Sequence, residues 1–157
     1  MIKNLSRSVL LVFVFVAAGF LSAANAQTVT ASIPGGVAAK GKATRATVLL
    51  VIPSGLHVNS NRPESEYAIP TTVRASSSGA RVGPVSYPRG KNRKFQFSEN
   101  LINVYEGRVL ITFPVTVPAN FRGNTIKVDV AVRYQACTDE VCYPPRTKTI
   151  SVNAKVQ

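Results

Sequence analysis

"TIKVDVAVRYQA", Thr125 to Ala136, alternates almost without fault. Ile126, Val128, Val130, Val132, Tyr134 and Ala136 share one parity; Lys127, Asp129, Arg133 and Gln135 lie on the other. A period of two sustained over this length marks a half-buried strand, because successive side chains of an extended chain point to opposite faces. Working outward, "RVLITFPVTV" repeats the pattern with Val109, Ile111, Phe113, Val115 and Val117. "ATVLLVI", Ala46 to Ile52, is a continuous β-branched and leucine run suited to a central strand, and "KTISV", Lys148 to Val152, is a shorter one. Turn signals stand between them: "PGG" at Pro34 to Gly36, "PSG" at Pro53 to Gly55, "SSSG" at Ser76 to Gly79 and "RGN" at Arg122 to Asn124. No segment has a helical period. The fold class expected is all-β, an immunoglobulin-like antiparallel sandwich. Two stretches are less regular. Gln27 to Lys42 reads as a frayed start, and Ala75 to Asn103 as long loops around a short strand "KFQF", Lys94 to Phe97.

The first residues have a different character. "MIKNLSRS" supplies Lys3 and Arg7, "VLLVFVFVAAGFL" is apolar, and "SAANAQ" places small residues at Ala24 and Ala26. This is the layout of a secretory signal peptide, 1–26, with cleavage expected after Ala26. The apolar run is shorter than the roughly 20 residues of a membrane span. The remainder, 27–157, is one domain by length, large enough for its own core. No later segment is apolar enough for stable membrane insertion, so the mature domain is expected outside the cytoplasm, where disulfides persist.

The chain carries a net charge of +12, or +10 once Lys3 and Arg7 are removed. The densest basic cluster is "YPRGKNRKF", with Arg89, Lys91, Arg93 and Lys94. Export argues against nucleic acid as its partner, and a solvated basic loop is the expectation.

The two cysteines, Cys137 and Cys142, stand in "YQACTDEVCYPP", directly after the alternating strand. Continued parity would put Cys137 on the outward face with Arg133 and Gln135. Tyr143 is followed by Pro144 and Pro145, which lack backbone donors and end pairing, so the next strand is expected to begin near Arg146. The pair would sit at an exposed strand-to-strand corner. A disulfide across so short a loop stabilises by roughly 2 kcal/mol, against nearly 5 for a hundred-residue loop. Spacing alone leaves three readings open. The pair is a local staple in a binding or scaffold module; it is an exchangeable disulfide; or, with His57, it handles metal, for which three ligands are one short of a closed site. C-x4-C is not the C-x-x-C redox motif. His57 reads as a hydrogen-bonding residue or a polar edge near the corner. Asn59 and Asn61 read as turn organisers.

"YQACTDEVCYPPRTKTISV" resembles the active-site segment of the amino-terminal domain of the thiol:disulfide interchange protein DsbD family, which shows Tyr-Gln-x-Cys, a short acidic loop, then Cys-x-Pro-Pro and a final strand. "GLHVNSNRP", Gly55 to Pro63, and "VYEGRVLITFPV", from Val104, are similar to further segments of that family. The resemblance extends roughly from Thr44 to Val152. It implies an immunoglobulin-like fold and an oxidoreductase-type role: thiol–disulfide exchange with thioredoxin-like periplasmic proteins, with no cofactor. Carried over, Cys142 forms mixed disulfides and Cys137 resolves them. Tyr105 falls near the family's aromatic cap, Glu106 adds to the acidic setting, and Tyr134, Tyr143 and Pro144 join Tyr105 in the surrounding surface. The cap segment here reads Asn103-Val104-Tyr105-Glu106-Gly107 rather than the family's acidic-acidic-Phe-Tyr-Gly. Neither the membrane domain nor the thioredoxin-like domain of full-length members lies within the sequence, so a stand-alone domain is expected to draw on a separate membrane electron donor.

Overall fold

The structure, a computed structural model, describes residues 27–157; the signal-peptide expectation, 1–26, lies outside the described residues. Twelve strands follow one another: β1 (Thr28–Ser32), β2 (Val37–Ala38), β3 (Ala43–Val51), β4 (His57–Asn59), β5 (Thr72–Ser77), β6 (Arg81–Val82), β7 (Lys91–Arg93), β8 (Ile102–Tyr105), β9 (Arg108–Thr116), β10 (Thr125–Tyr134), β11 (Ala136–Cys137) and β12 (Arg146–Val156). They form three four-stranded sheets, ordered β1-β3-β9-β6, β2-β12-β10-β5 and β11-β4-β8-β7. The sole helical turn among the described residues is at Pro34–Gly36.

The first two sheets make the sandwich. Their alternating strands turn Val48, Leu50, Ile111, Phe113 and Val115 from one side, and Ile126, Val128, Val130 and Val132 from the other, into one core. Each of these is at most 2% exposed. A buried aliphatic or aromatic side chain contributes about 1.5–3 kcal/mol by leaving water, so this layer is the principal stabilising feature. β3 lies between β1 and β9, the central place expected of it. The architecture is the all-β, immunoglobulin-like sandwich expected, with one parallel addition, β2 beside β12.

Two expectations are corrected. The segment Gln27 to Lys42 is not frayed: Thr28 to Ser32 pair antiparallel with Val51 to Thr47, and Lys155 and Val156 pair with Val37 and Ala38. Its polar, small-residue composition suits two sheet edges. The short strand of the irregular region is Lys91–Arg93, not "KFQF". Its ladder with β8 ends at Arg93 opposite Ile102, and the chain then turns, the Ser98 amide donating to the Phe95 carbonyl at 3.2 Å. Part of the basic cluster therefore forms a charged edge strand rather than a loop.

The third sheet is a small platform at one end of the sandwich. β8 passes into β9 of the first sheet through Glu106 and Gly107, whose φ of +65° favours glycine. β10 passes into β11 at Gln135. The platform thus receives a continuation of one strand from each main sheet, and it carries the cysteines.

Candidate functional site

Cys137 and Cys142 are joined by a disulfide, five positions apart in sequence. Thr138 organises the four-residue loop. Its amide donates to the Val141 carbonyl at 2.8 Å, and its hydroxyl accepts from the Val141 and Glu140 amides at 3.0 and 3.2 Å. Beyond the loop the Tyr143 amide donates to the Ala136 carbonyl at 2.8 Å. β12 then starts at Arg146, where the double proline predicts it.

The two sulfur-bearing residues differ in exposure. Cys142 is exposed and lines a groove of about 710 Å³, whereas Cys137 is 0% exposed. The expectation that Cys137 lies on the outward face is corrected. Parity predicts a face only while a strand stays in one sheet. β10 ends at Tyr134, and Ala136–Cys137 pairs instead with Val58 and His57 of β4. Directly opposed residues of an antiparallel pair present their side chains on the same face, so His57 stands beside Cys137. The His57 ring stacks on Phe95 at 4.3 Å between centroids, and Phe95 stacks on Phe97 at 5.3 Å. Phe97 in turn lines the groove that Cys142 enters. A file of three rings therefore runs from the buried cysteine towards the exposed one.

The other residues expected around the cysteines are placed differently. Tyr105, the residue carried over as the cap, is 3% exposed. Its hydroxyl lies 2.6 Å from Asn61 Oδ1 and 3.0 Å from the Pro88 carbonyl, so it ties β8 to two loops. Burial pushes its phenol above the ordinary value, partly offset by the bond to Asn61. Tyr134 is 1% exposed and belongs to the core, not to the surrounding surface. Tyr143 and Pro144 are exposed beside Cys142. Glu106 meets Arg93 at 3.1 Å and Lys91 at 3.6 Å. With His57 and Asp139 it lines a second cavity of about 440 Å³.

Sequence reasoning did not single out Phe95 and Phe97, which the structure brings beside His57 and the Cys142 groove; their shared parity in "KFQF" was the available signal. Asn59 is not a turn organiser. Its amide donates to the Ile69 carbonyl at 3.1 Å and to Gln135 Oε1 at 3.2 Å. Gln135 Nε2 reaches the Tyr143 carbonyl at 3.2 Å, so one relay of amides braces both ends of the cysteine loop. Asn61 likewise acts as the acceptor for Tyr105. With both sulfurs bonded to each other, neither is a thiolate ligand. Among the described residues no cluster of three or more histidine, cysteine or acidic side chains is placed to hold a metal ion.

Together these features define a class: a β-sandwich bearing a disulfide at one end, half sealed and half open. The family model described as "Thiol:disulfide interchange protein DsbD, N-terminal" matches residues 23–154, and the chain belongs to that family. The chain is 29% identical over 89 residues to the thiol:disulfide interchange protein DsbD of Pseudoalteromonas atlantica, a match spanning 56% of this chain and 14% of that protein. It is 22% identical over 100 residues to the DsbD of Actinobacillus pleuropneumoniae, spanning 64% of this chain and 16% of that one. The chain thus matches about one seventh of the length of these curated relatives. Among solved structures, the reduced DsbD amino-terminal domain of Neisseria meningitidis superposes with a TM-score of 0.46 at 19% identity, covering 71% of this chain and 82% of that one. The N-terminal periplasmic domain of ScsB from Proteus mirabilis gives 0.49 at 13% identity, covering 80% and 44%. Membership of the family and the bonded cysteine pair are consistent with thiol–disulfide interchange.

Proposed function

We propose that the domain acts in the periplasm as a thiol–disulfide relay, passing reducing equivalents between thioredoxin-fold proteins through Cys137 and Cys142. In the reducing half-cycle a partner's thiolate attacks Cys142 Sγ in line with the S–S bond. The Cys137–Cys142 bond breaks, a mixed disulfide forms at Cys142, and Cys137 leaves as a thiolate. A second partner thiolate displaces the first bond and leaves the domain as a dithiol. In the delivering half-cycle the Cys142 thiolate attacks a partner disulfide, and Cys137 closes the ring.

The observation that carries this reading is the difference in exposure between the two cysteines. Exchange needs one sulfur reachable by a bulky partner, and a second that meets only the first. Exposed Cys142 suits the first role and sealed Cys137 the second. Phe95 and Phe97 serve as the aromatic cap, and Tyr143 and Pro144 border the approach. The domain reaches the periplasm through the signal peptide expected at 1–26.

The experiment is trapping in a periplasmic extract. Cys137→Ala leaves Cys142 without its resolving partner and should accumulate a mixed disulfide with a thioredoxin-like protein. Cys142→Ala should trap far less. Capture by neither variant would leave the pair as a structural staple. A relay pair should also be reduced at a potential above about −300 mV, where structural disulfides resist.

A further inference from the structure

Ring closure requires something the sulfurs alone do not supply. Cys137 must lose a proton before it attacks, and it is sealed from the bulk water that ordinarily takes one. An isolated thiol has a pKa near 8.5, and burial in apolar surroundings raises it. The platform places a side chain suited to this task beside Cys137. His57 is paired directly across the ladder from Cys137, and such neighbours have Cβ atoms only about 4.5–5.5 Å apart. The imidazole is held in place by stacking on Phe95. It lines a cavity of about 440 Å³ together with Asp139, and Cys142 is not among the residues of that cavity.

We propose that His57 is the proton acceptor for Cys137 in the resolving step of the exchange, and the proton donor to it in the reverse. The inference rests on the exchange reading above. In the mixed disulfide the Cys137 S–H passes its proton to an imidazole nitrogen, and the thiolate attacks Cys142 Sγ. The Cys137–Cys142 bond forms as the Cys142–partner bond breaks. The partner's sulfur departs with the bonding pair, and the imidazolium returns its proton to solvent through the cavity. Electrons balance within the two sulfur couples, so no further reactant is needed.

The charged groups around the ring suit this traffic. Desolvation holds the imidazole below its ordinary value, so it is neutral and able to accept at neutral pH. Asp139, just beyond β11, and Glu106, just after β8, oppose that effect and face the imidazolium once it forms; Arg93 of β7 acts in the other sense. Glu106 is already engaged by Arg93, whereas Asp139 makes no ion pair among the described residues, which leaves Asp139 as the principal counter-charge.

The test uses a small disulfide, so that it does not depend on any protein partner. The dithiol protein is mixed with excess oxidised glutathione, and decay of the glutathione adduct at Cys142 is followed by acid quench and mass spectrometry from pH 5 to 9. With His57 as base, closure accelerates until the imidazole loses its proton and then levels off. His57→Gln should abolish the plateau, give a rate that climbs about tenfold per pH unit towards the thiol pKa, and slow closure at pH 7 by at least about tenfold. Unchanged levelling in the variant overturns the proposal. Should His57→Gln fail to fold, the wild-type protein decides. His57 is the single histidine of the chain, so its imidazole resonance is unambiguous, and its midpoint in the reduced protein must coincide with the bend. A bend elsewhere, or none, overturns the assignment. A pair that no thiol reduces sinks the exchange reading and this inference together; a pair that recloses indifferently to His57 sinks only the inference.

Discussion

The imidazole of His57 and the ring of Phe95 lie 4.3 Å apart at their centroids, with their planes inclined by 18°. One edge of this stack belongs to the strand that pairs with Cys137, the other to the turn that carries Phe97. The pair thereby couples the sealed sulfur to the side chain at the mouth of the groove.

Removing the outer ring should loosen access without loosening the fold. Phe97 is 45% exposed, so Phe97→Ala should change stability by less than about 0.5 kcal/mol. Reduction of the disulfide by a small thiol should accelerate several-fold, measured by stopped-flow at fixed thiol and pH. Phe95 is 4% exposed, and Phe95→Ala should instead cost about 3–5 kcal/mol in urea unfolding. Equal effects of the two would contradict a cap laid over a structural base.

Tyr105 is a brace, and its hydroxyl is the part that matters. Tyr105→Phe keeps the ring but leaves the Asn61 and Pro88 acceptors unpaired. A loss of about 1–3 kcal/mol is expected in denaturant titration, with the rate of disulfide reduction unchanged. A faster reduction at full stability would return Tyr105 to the cap.

Stability should fall with acidity through His57. Its folded-state pKa lies below the ordinary value of 6.5, so the unfolded chain binds the proton more readily. The resulting contribution is complete above the unfolded value and is lost as pH drops from there through the folded value. The melting temperature of His57→Gln should therefore vary less than that of wild type from pH 7 downward. Parallel curves would show that the ring is not desolvated.

The disulfide should matter little to stability. Reducing the disulfide should cost at most about 2 kcal/mol, the loop-closure contribution of so short a ring, read from urea midpoints with and without reductant. A collapse of the fold would identify the bridge as a staple.

Close packing makes a further prediction at Gly83. A Cβ there would stand 2.5 Å from Pro114 Cγ, and a proline ring has little freedom to yield. Gly83→Ala should cost about 1–3 kcal/mol, seen as a lowered urea midpoint without any change in thiol chemistry.

The long strands were legible because their periodicity is a local property: β9 and β10 bury the residues that alternation selects. The corner after β10 was legible for the same reason, since proline chemistry acts on its own neighbours. Parity failed at Cys137, where the chain changes sheets at Gln135, an event that no periodicity within one strand reports. The burial of Tyr105 and the stacking of Phe95 on His57 were not legible, because both residues stand near turns. Where each ring lies depends on where the β7–β8 ladder ends, a long-range pairing. His57 sits at the corner through its register with β11, which local spacing does not specify.

The longest ladder of the scaffold does not include the disulfide. β10 and β12 are matched rung for rung from Thr125 opposite Lys155 to Tyr134 opposite Arg146. The sulfur loop hangs beyond the last of these rungs. Making or breaking its bond should leave the ladder untouched, so oxidised and reduced molecules should differ to a visiting protein only at the tip. Docking, not refolding, would then set how fast the electrons move.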